Sequence, residues 1–193
     1  MPNRGAILIP TRDGEQGRFS FKCGQGATYG MTQLLYSDAI VGFLTEFAEQ
    51  TDHRPEILLS FGFVPKMESK VGLITWLIQD PGNPAVAAEQ EFVTTLAGLE
   101  PAEKRTLMLD LYKRVIDGVA DLGFPLSVHF EVAYGGVHTG VRDVRRDAGL
   151  LVAALAGSGL RPRTPVPAAP AAPDRNPVGG AKRSRTARSR RGR

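Results

Sequence analysis

Cysteine is almost absent from this chain of 193 residues: Cys23 is the only one. A single thiol excludes an internal disulfide and any cysteine-rich metal site. It has no identifiable His or Asp partner, which a nucleophilic role would need. Long apolar runs are missing too, and none approaches the ~20 residues that a bilayer-spanning helix requires. The opening MPNRGAILIP has too short an apolar core for a secretory signal and no small-residue cleavage pattern. These absences leave a cytoplasmic protein as the expectation. Histidine is sparse, and His53, His129 and His138 show no metal-ligand spacing. His129, inside a predicted strand, reads as a core histidine with its hydrogen bonds satisfied. The segment GQGATYG at Gly24–Gly30 is no dinucleotide fingerprint. It precedes a strand instead of following one, so no helix N-terminus stands where a phosphate would need it.

What is abundant is positive charge, but in one place. Residues 161–193 carry ten basic side chains against Asp174 alone, a charge of +9, and the first 160 residues carry fourteen basic and nineteen acidic, a charge of −5. The high isoelectric point therefore belongs to the tail, and the preceding domain is mildly acidic. The tail begins RPRTPVPAAPAAPDRNPVGG and ends AKRSRTARSRRGR. Proline and small residues followed by a basic run predict a disordered segment. Such a segment contacts nucleic acid weakly through phosphates or stays solvated, with no aromatic residue to stack on bases. The expected organisation is a domain over 1–160 and a tail over 161–193.

Within the domain, apolar runs alternate between two periods. GAILIP (5–10), Tyr29–Tyr36, Glu56–Val64 and Leu126–Ala133 read as strands. Between them, helical spacing predicts helices over 15–23, from the Ser37 cap to 50, over 70–79, 85–96 and 101–122, with a last helix over 141–156. Pro101 suits a first helical position and Gly123 a helix end. Leu107, Leu111, Val115, Val119 and Leu122 are the expected buried stripe of the long helix. The third strand is apolar at nearly every position, as in parallel sheets. Strand and helix alternate four times, which predicts a parallel α/β fold, either half of an eight-unit barrel or a small open sheet.

One residue is out of keeping with its surroundings. Gln33 sits among Met31, Leu34, Leu35 and Tyr36, and an amide in such a run needs a polar partner, at about 1–3 kcal/mol if it lacks one. That partner is a ligand at the carboxyl ends of the strands, or else a neighbouring strand or water. His129 and Glu131 alternate on the last strand and share one face.

The segments in this order resemble methylenetetrahydrofolate reductase, a flavin-containing (β/α)8 barrel enzyme. The residues that carry the resemblance are Lys22, the turn Gly26-Ala27, and Met31-Thr32-Gln33-Leu34-Leu35-Tyr36-Ser37-Asp38. With them stand Phe61-Gly62-Phe63-Val64-Pro65, His129-Phe130-Glu131, and Ile9-Pro10-Thr11-Arg12. The match runs over residues 5 to 156 and falls on the second half of the family's barrel, beginning at its fifth strand. It implies a partial TIM-type barrel of about four βα units. It implies flavin-dependent reduction of 5,10-methylenetetrahydrofolate to 5-methyltetrahydrofolate with NAD(P)H, in one-carbon metabolism and methionine synthesis. By the same resemblance, Gln33 contacts the folate substrate and Lys22 reaches the phosphates of FAD. No general acid is identifiable, because the family's acid lies on strands that have no counterpart here. The alternative is a catalytically inactive paralogue that binds folate or a partner chain. A four-stranded half has open edges at both outer strands, which implies a homo-oligomer or a chain that supplies the other half.

Overall fold

The computed structural model describes residues 3–64, 67–80, 82–132 and 141–156. The strands are β1 (Gly5–Leu8), β2 (Tyr29–Leu34), β3 (Glu56–Phe63) and β4 (Leu126–Val132). The helices are α1 (Glu15–Gly24), α2 (Ala39–Gln50), α3 (Val71–Leu77), α4 (Pro84–Ala97), α5 (Pro101–Val119) and α6 (Val141–Leu155). A short 3-10 turn, Met67–Ser69, precedes α3. The described residues all belong to one compact unit, Met1–Arg161. The expected basic tail lies outside the described residues.

All neighbouring strands are parallel, in the order β1-β2-β3-β4. Parallel strands in sequence order need a crossover at each step, and α1, α2 and the α3–α5 segment supply them. The register sorts side chains into rows. Ala6, Gly30, Ile57 and Leu126 align on one face, and Ile7, Met31, Leu58 and Ser127 on the other. The first face carries the core. Leu8, Ile57, Leu59 and Phe61 are fully buried there with Phe19 of α1, Ile40, Leu44 and Phe47 of α2, and Tyr112 and Val115 of α5. Phe19, Phe43 and Phe47 pack ring to ring, and Phe61 stacks on Tyr112 at 4.1 Å. Gly30 is glycine because α1 comes so close: a Cβ there would stand 2.6 Å from the Phe19 ring. The second face is barer at its outer end, where Ile7 is 63% exposed and Met31 and Leu58 are half-buried.

Two helix starts follow their sequence signals, while α5 ends at Val119, with Ala120 and not Gly123 at its cap. Pro84 and Pro101 each begin a helix, and Glu100 and Glu103 form a capping box at the start of α5. That box satisfies donors that the first turn leaves unpaired. The buried face of α5 runs through Met108, Leu111, Tyr112, Val115, Ile116 and Val119, while Leu107 is 38% exposed. The predicted Leu111, Val115 and Val119 are buried, and the face is widened by Met108, Tyr112 and Ile116 because α5 packs on both α2 and β3. His129 is exposed on β4 instead of being a core histidine. β2 ends at Leu34, two residues before the predicted Tyr36.

Two side chains of α1 reach backbone groups of β1 and the residue after it. Lys22 Nζ donates to the Ile7 carbonyl at 2.9 Å, and the Ile9 amide donates to Glu15 Oε1 at 3.4 Å. Residues two apart point their backbone groups the same way, so these two side chains take up two of the groups on the outer edge of β1.

Candidate functional site

In parallel α/β folds ligands sit at the carboxyl ends of the strands. Here that end of β2 is irregular. Met31 pairs with Leu58 and Leu34 with Ser60, so Thr32 and Gln33 together face Leu59 alone. This two-against-one arrangement is a β-bulge, which re-aims side chains and occurs often beside active sites. Thr32 and Ser60 lock it. The Ser60 amide donates to Thr32 Oγ1 at 2.9 Å, Ser60 Oγ donates to the Thr32 carbonyl at 2.7 Å, and the Leu35 amide donates to the Ser60 carbonyl at 3.1 Å. Both hydroxyls are buried.

Thr32 is therefore spent on the backbone, and Gln33 is set free by it. Gln33 is half-buried, and its amide makes no hydrogen bond among the described residues. The reading in which a neighbouring strand satisfies this amide does not hold in the structure. Past β2, Ser37 serves the start of α2 from one residue before the cap position. The cap position is Asp38, but Ser37 Oγ still accepts from the amide of Ala39, the first residue of α2, at 3.4 Å, and it donates to Glu89 Oε1 of α4 at 2.7 Å. Glu89 is 3% exposed, and its Oε2 has no hydrogen-bond partner. Burial pushes the Glu89 carboxyl above the ordinary range, and the hydroxyls of Ser37 and Thr11 offset part of that. Thr11 faces the same carboxyl, although no hydrogen bond of good geometry reaches Oε2. The start of α4 is tied to the β1–α1 connection as well: Asn83 Nδ2 donates to the Thr11 carbonyl, and Asn83 Oδ1 accepts from the Ala85 amide. At β3, the Tyr112 hydroxyl donates to the Gly62 carbonyl at 2.6 Å and accepts from its amide at 3.1 Å, where β2 no longer reaches.

Lys22 lies elsewhere, on the outer side of β1. It is 34% exposed and is bonded to Ile7 and Glu15. Arg12, Arg18 and Lys22 stand 3.6, 3.9 and 3.5 Å from the carboxylate of Glu15, which is 1% exposed. Cys23 is buried, and burial raises its thiol more than Lys22 lowers it, so it is an unreactive thiol. Glu131 has no described side chain, and His138 lies outside the described residues. The described residues hold no cluster of three metal-ligating side chains and no helix long and apolar enough to cross a membrane.

Sequence reasoning singled out Gln33 and missed Glu89 and the Thr32–Ser60 lock. Glu89 did leave a signal. It falls in the apolar stripe of Val86, Val93 and Leu96 on α4, where a carboxyl is out of place. The lock left none, because two hydroxyls 28 residues apart meet only through register.

Strands in sequential parallel order with a freed amide and a buried acid at their carboxyl ends define an α/β protein with a polar site at that end. The family described as mycobacterial methylenetetrahydrofolate reductase matches residues 1–144, and the chain belongs to that family. Among solved structures, it is similar to an uncharacterized protein from Clostridium thermocellum that binds two copies of 5-methyl-5,6,7,8-tetrahydrofolic acid. The TM-score is 0.54 at 15% identity, over 76% of this chain and 51% of that one. At that identity the likeness is one of fold, and the match spans about half of the Clostridium chain. No curated protein matches at the level of sequence.

Proposed function

We propose that this chain binds a reduced folate at the carboxyl end of its sheet and takes part in reducing 5,10-methylenetetrahydrofolate to 5-methyltetrahydrofolate. Family membership and the folate bound by the Clostridium protein support this reading. The observation that carries it is Gln33, a half-buried amide turned out of the ladder by a locked bulge and left without a partner. An amide offers two donors and one acceptor, which suits the mixed donor and acceptor edge of a pterin. The sequential parallel sheet is read as part of a (β/α)8 barrel, in which this end is the ligand end. The reductant is NAD(P)H, which loses two electrons as a hydride passes to the one-carbon unit.

The resemblance also implies FAD, and the described residues fit it poorly. The assigned phosphate contact, Lys22, already serves the Ile7 carbonyl and stands beside the buried Glu15 carboxylate. A diphosphate at Lys22 would have to displace one and face the other, so no step is derived through flavin. An absorbance scan of the purified protein checks this directly, and stoichiometric flavin with Lys22→Ala abolishing it would restore the assignment.

The test of the folate reading is calorimetric binding of 5-methyltetrahydrofolate to the full chain and to Gln33→Leu. Loss of an amide that a ligand uses costs about 1–3 kcal/mol, a fall in affinity of roughly 5- to 150-fold. The same substitution leaves the melting temperature nearly unchanged, since the amide bonds nothing in the protein. Equal affinity in the two proteins would show that the site is elsewhere.

A further inference from the structure

Glu89 is a buried acid that the folate reading does not use. The groups that face it come from the elements around α4. From the β1–α1 connection comes the Thr11 hydroxyl, while Arg12 turns to Glu15 and Asp13 to Asn83. From the turn after β2 comes Ser37, while Asp38 is exposed and 4.0 Å from Arg114. On the α3 side, Asp80 bonds Asn83, and Gln90 Nε2 donates to the Thr75 carbonyl at 3.3 Å. On its own helix Glu91 is exposed. The described residues therefore offer Glu89 hydroxyls and no cation. A buried carboxylate in such a place is costly, and a neutral carboxyl is not.

We propose that Glu89 is a positioning residue for the Gln33 site: through Ser37 it fixes the turn after β2 and fastens α4 across the carboxyl ends of β1 and β2. The consequence for folate rests on the reading above. Ser37 is four residues past Gln33, and the second tie of α4, Asn83 to Thr11, ends at the residue after Pro10. Ionisation of Glu89 places an unpaired charge under this strap and favours its release. A ligand that needs Gln33 in place then binds the protonated form better, and its affinity falls as pH rises.

Two measurements on the full chain test this. The first is binding of 5-methyltetrahydrofolate across about pH 5 to pH 9, in wild type and Glu89→Gln, where a single linked proton changes affinity by at most about tenfold per pH unit. Wild type is expected to lose affinity as pH rises beyond what the ligand's own titration produces. Glu89→Gln, a neutral isostere, is expected to hold its affinity where wild type loses it. Identical slopes in the two proteins would overturn the proposal. The second measurement needs no ligand. Trp76 is the chain's one tryptophan and sits on α3, which packs on α4. Its emission should shift with rising pH in wild type and stay level in Glu89→Gln, and a shift shared by both would overturn the strap. If folate binds neither protein at any pH, the folate reading fails and the Trp76 measurement alone decides Glu89. Should Glu89→Gln not fold, Ser37→Ala probes the same contact. It removes the donor that helps the ionised form, so its Trp76 transition should begin at higher pH, and an unmoved transition would count against the proposal.

Discussion

Two glutamates are almost equally buried in this domain and have opposite surroundings. Glu15, 1% exposed at the start of α1, is ringed by Arg12, Arg18 and Lys22 and accepts the Ile9 amide. Glu89, 3% exposed in the middle of α4, has Ser37 on one oxygen and no hydrogen bond on the other. The first carboxylate is compensated by cations and bonds a backbone amide just past β1. The second has hydroxyls and no cation beside it and lies near the carboxyl ends of the strands. Burial alone does not tell a structural acid from a functional one; the charges around it do.

The comparison breaks first at Glu15. Glu15→Ala leaves three basic side chains without their shared anion and bares the Ile9 amide. A fully buried pair broken in this way loses about 3–5 kcal/mol. Its basic partners are about a third to a half exposed, so about 2–4 kcal/mol is expected after screening. Urea unfolding measures it, and a loss under about 1 kcal/mol would show the ring of cations to be ornamental. The bared amide should also raise the tendency to aggregate, which light scattering detects.

Next comes Tyr112→Phe, which removes the one hydroxyl that serves both the amide and the carbonyl of Gly62 beside the ligand end. Two buried backbone groups lose their partner, for about 1–3 kcal/mol. A thermal melt unchanged from wild type would mean that water replaces the hydroxyl there.

The Glu89 effect is smaller and differs in kind, because it depends on pH. Its folded value is raised above the unfolded one, near 4.3 for glutamate. A folded state that holds its proton more tightly is favoured at low pH. The stabilisation is complete below the unfolded value and is lost as pH rises through the folded value. Glu89→Gln should flatten this stretch of the stability–pH curve. A curve that falls in the same way for both proteins would place the titration elsewhere.

The smallest effect sharpens the contrast through salt. Lys22→Ala should cost about 0.5–1 kcal/mol, given its exposure and its bond to Ile7. Part of that cost should vanish in high salt, where partly exposed ion pairs are screened. Ser37→Ala removes a contact with no ionic partner, and its cost at acid pH should not change with salt.

Sequence alone placed every strand within two residues and most helix boundaries within three, because those signals are local. Apolar alternation, Pro101 at a helix start and Gly123 after α5 act over a few residues. It also marked Gln33, since an amide in an apolar strand is anomalous wherever the strand goes. It could not show that Thr32 gives up its hydroxyl to Ser60, that Lys22 bonds the Ile7 carbonyl, or that Leu107 turns outward. Each depends on a partner brought near by register or helix packing, from 15 residues away for Lys22 and Ile7 to 28 for Thr32 and Ser60. Glu89 stands between the two cases. The apolar stripe of α4 held a signal of it that went unread, and only the tertiary structure decided that hydroxyls and not cations would surround it.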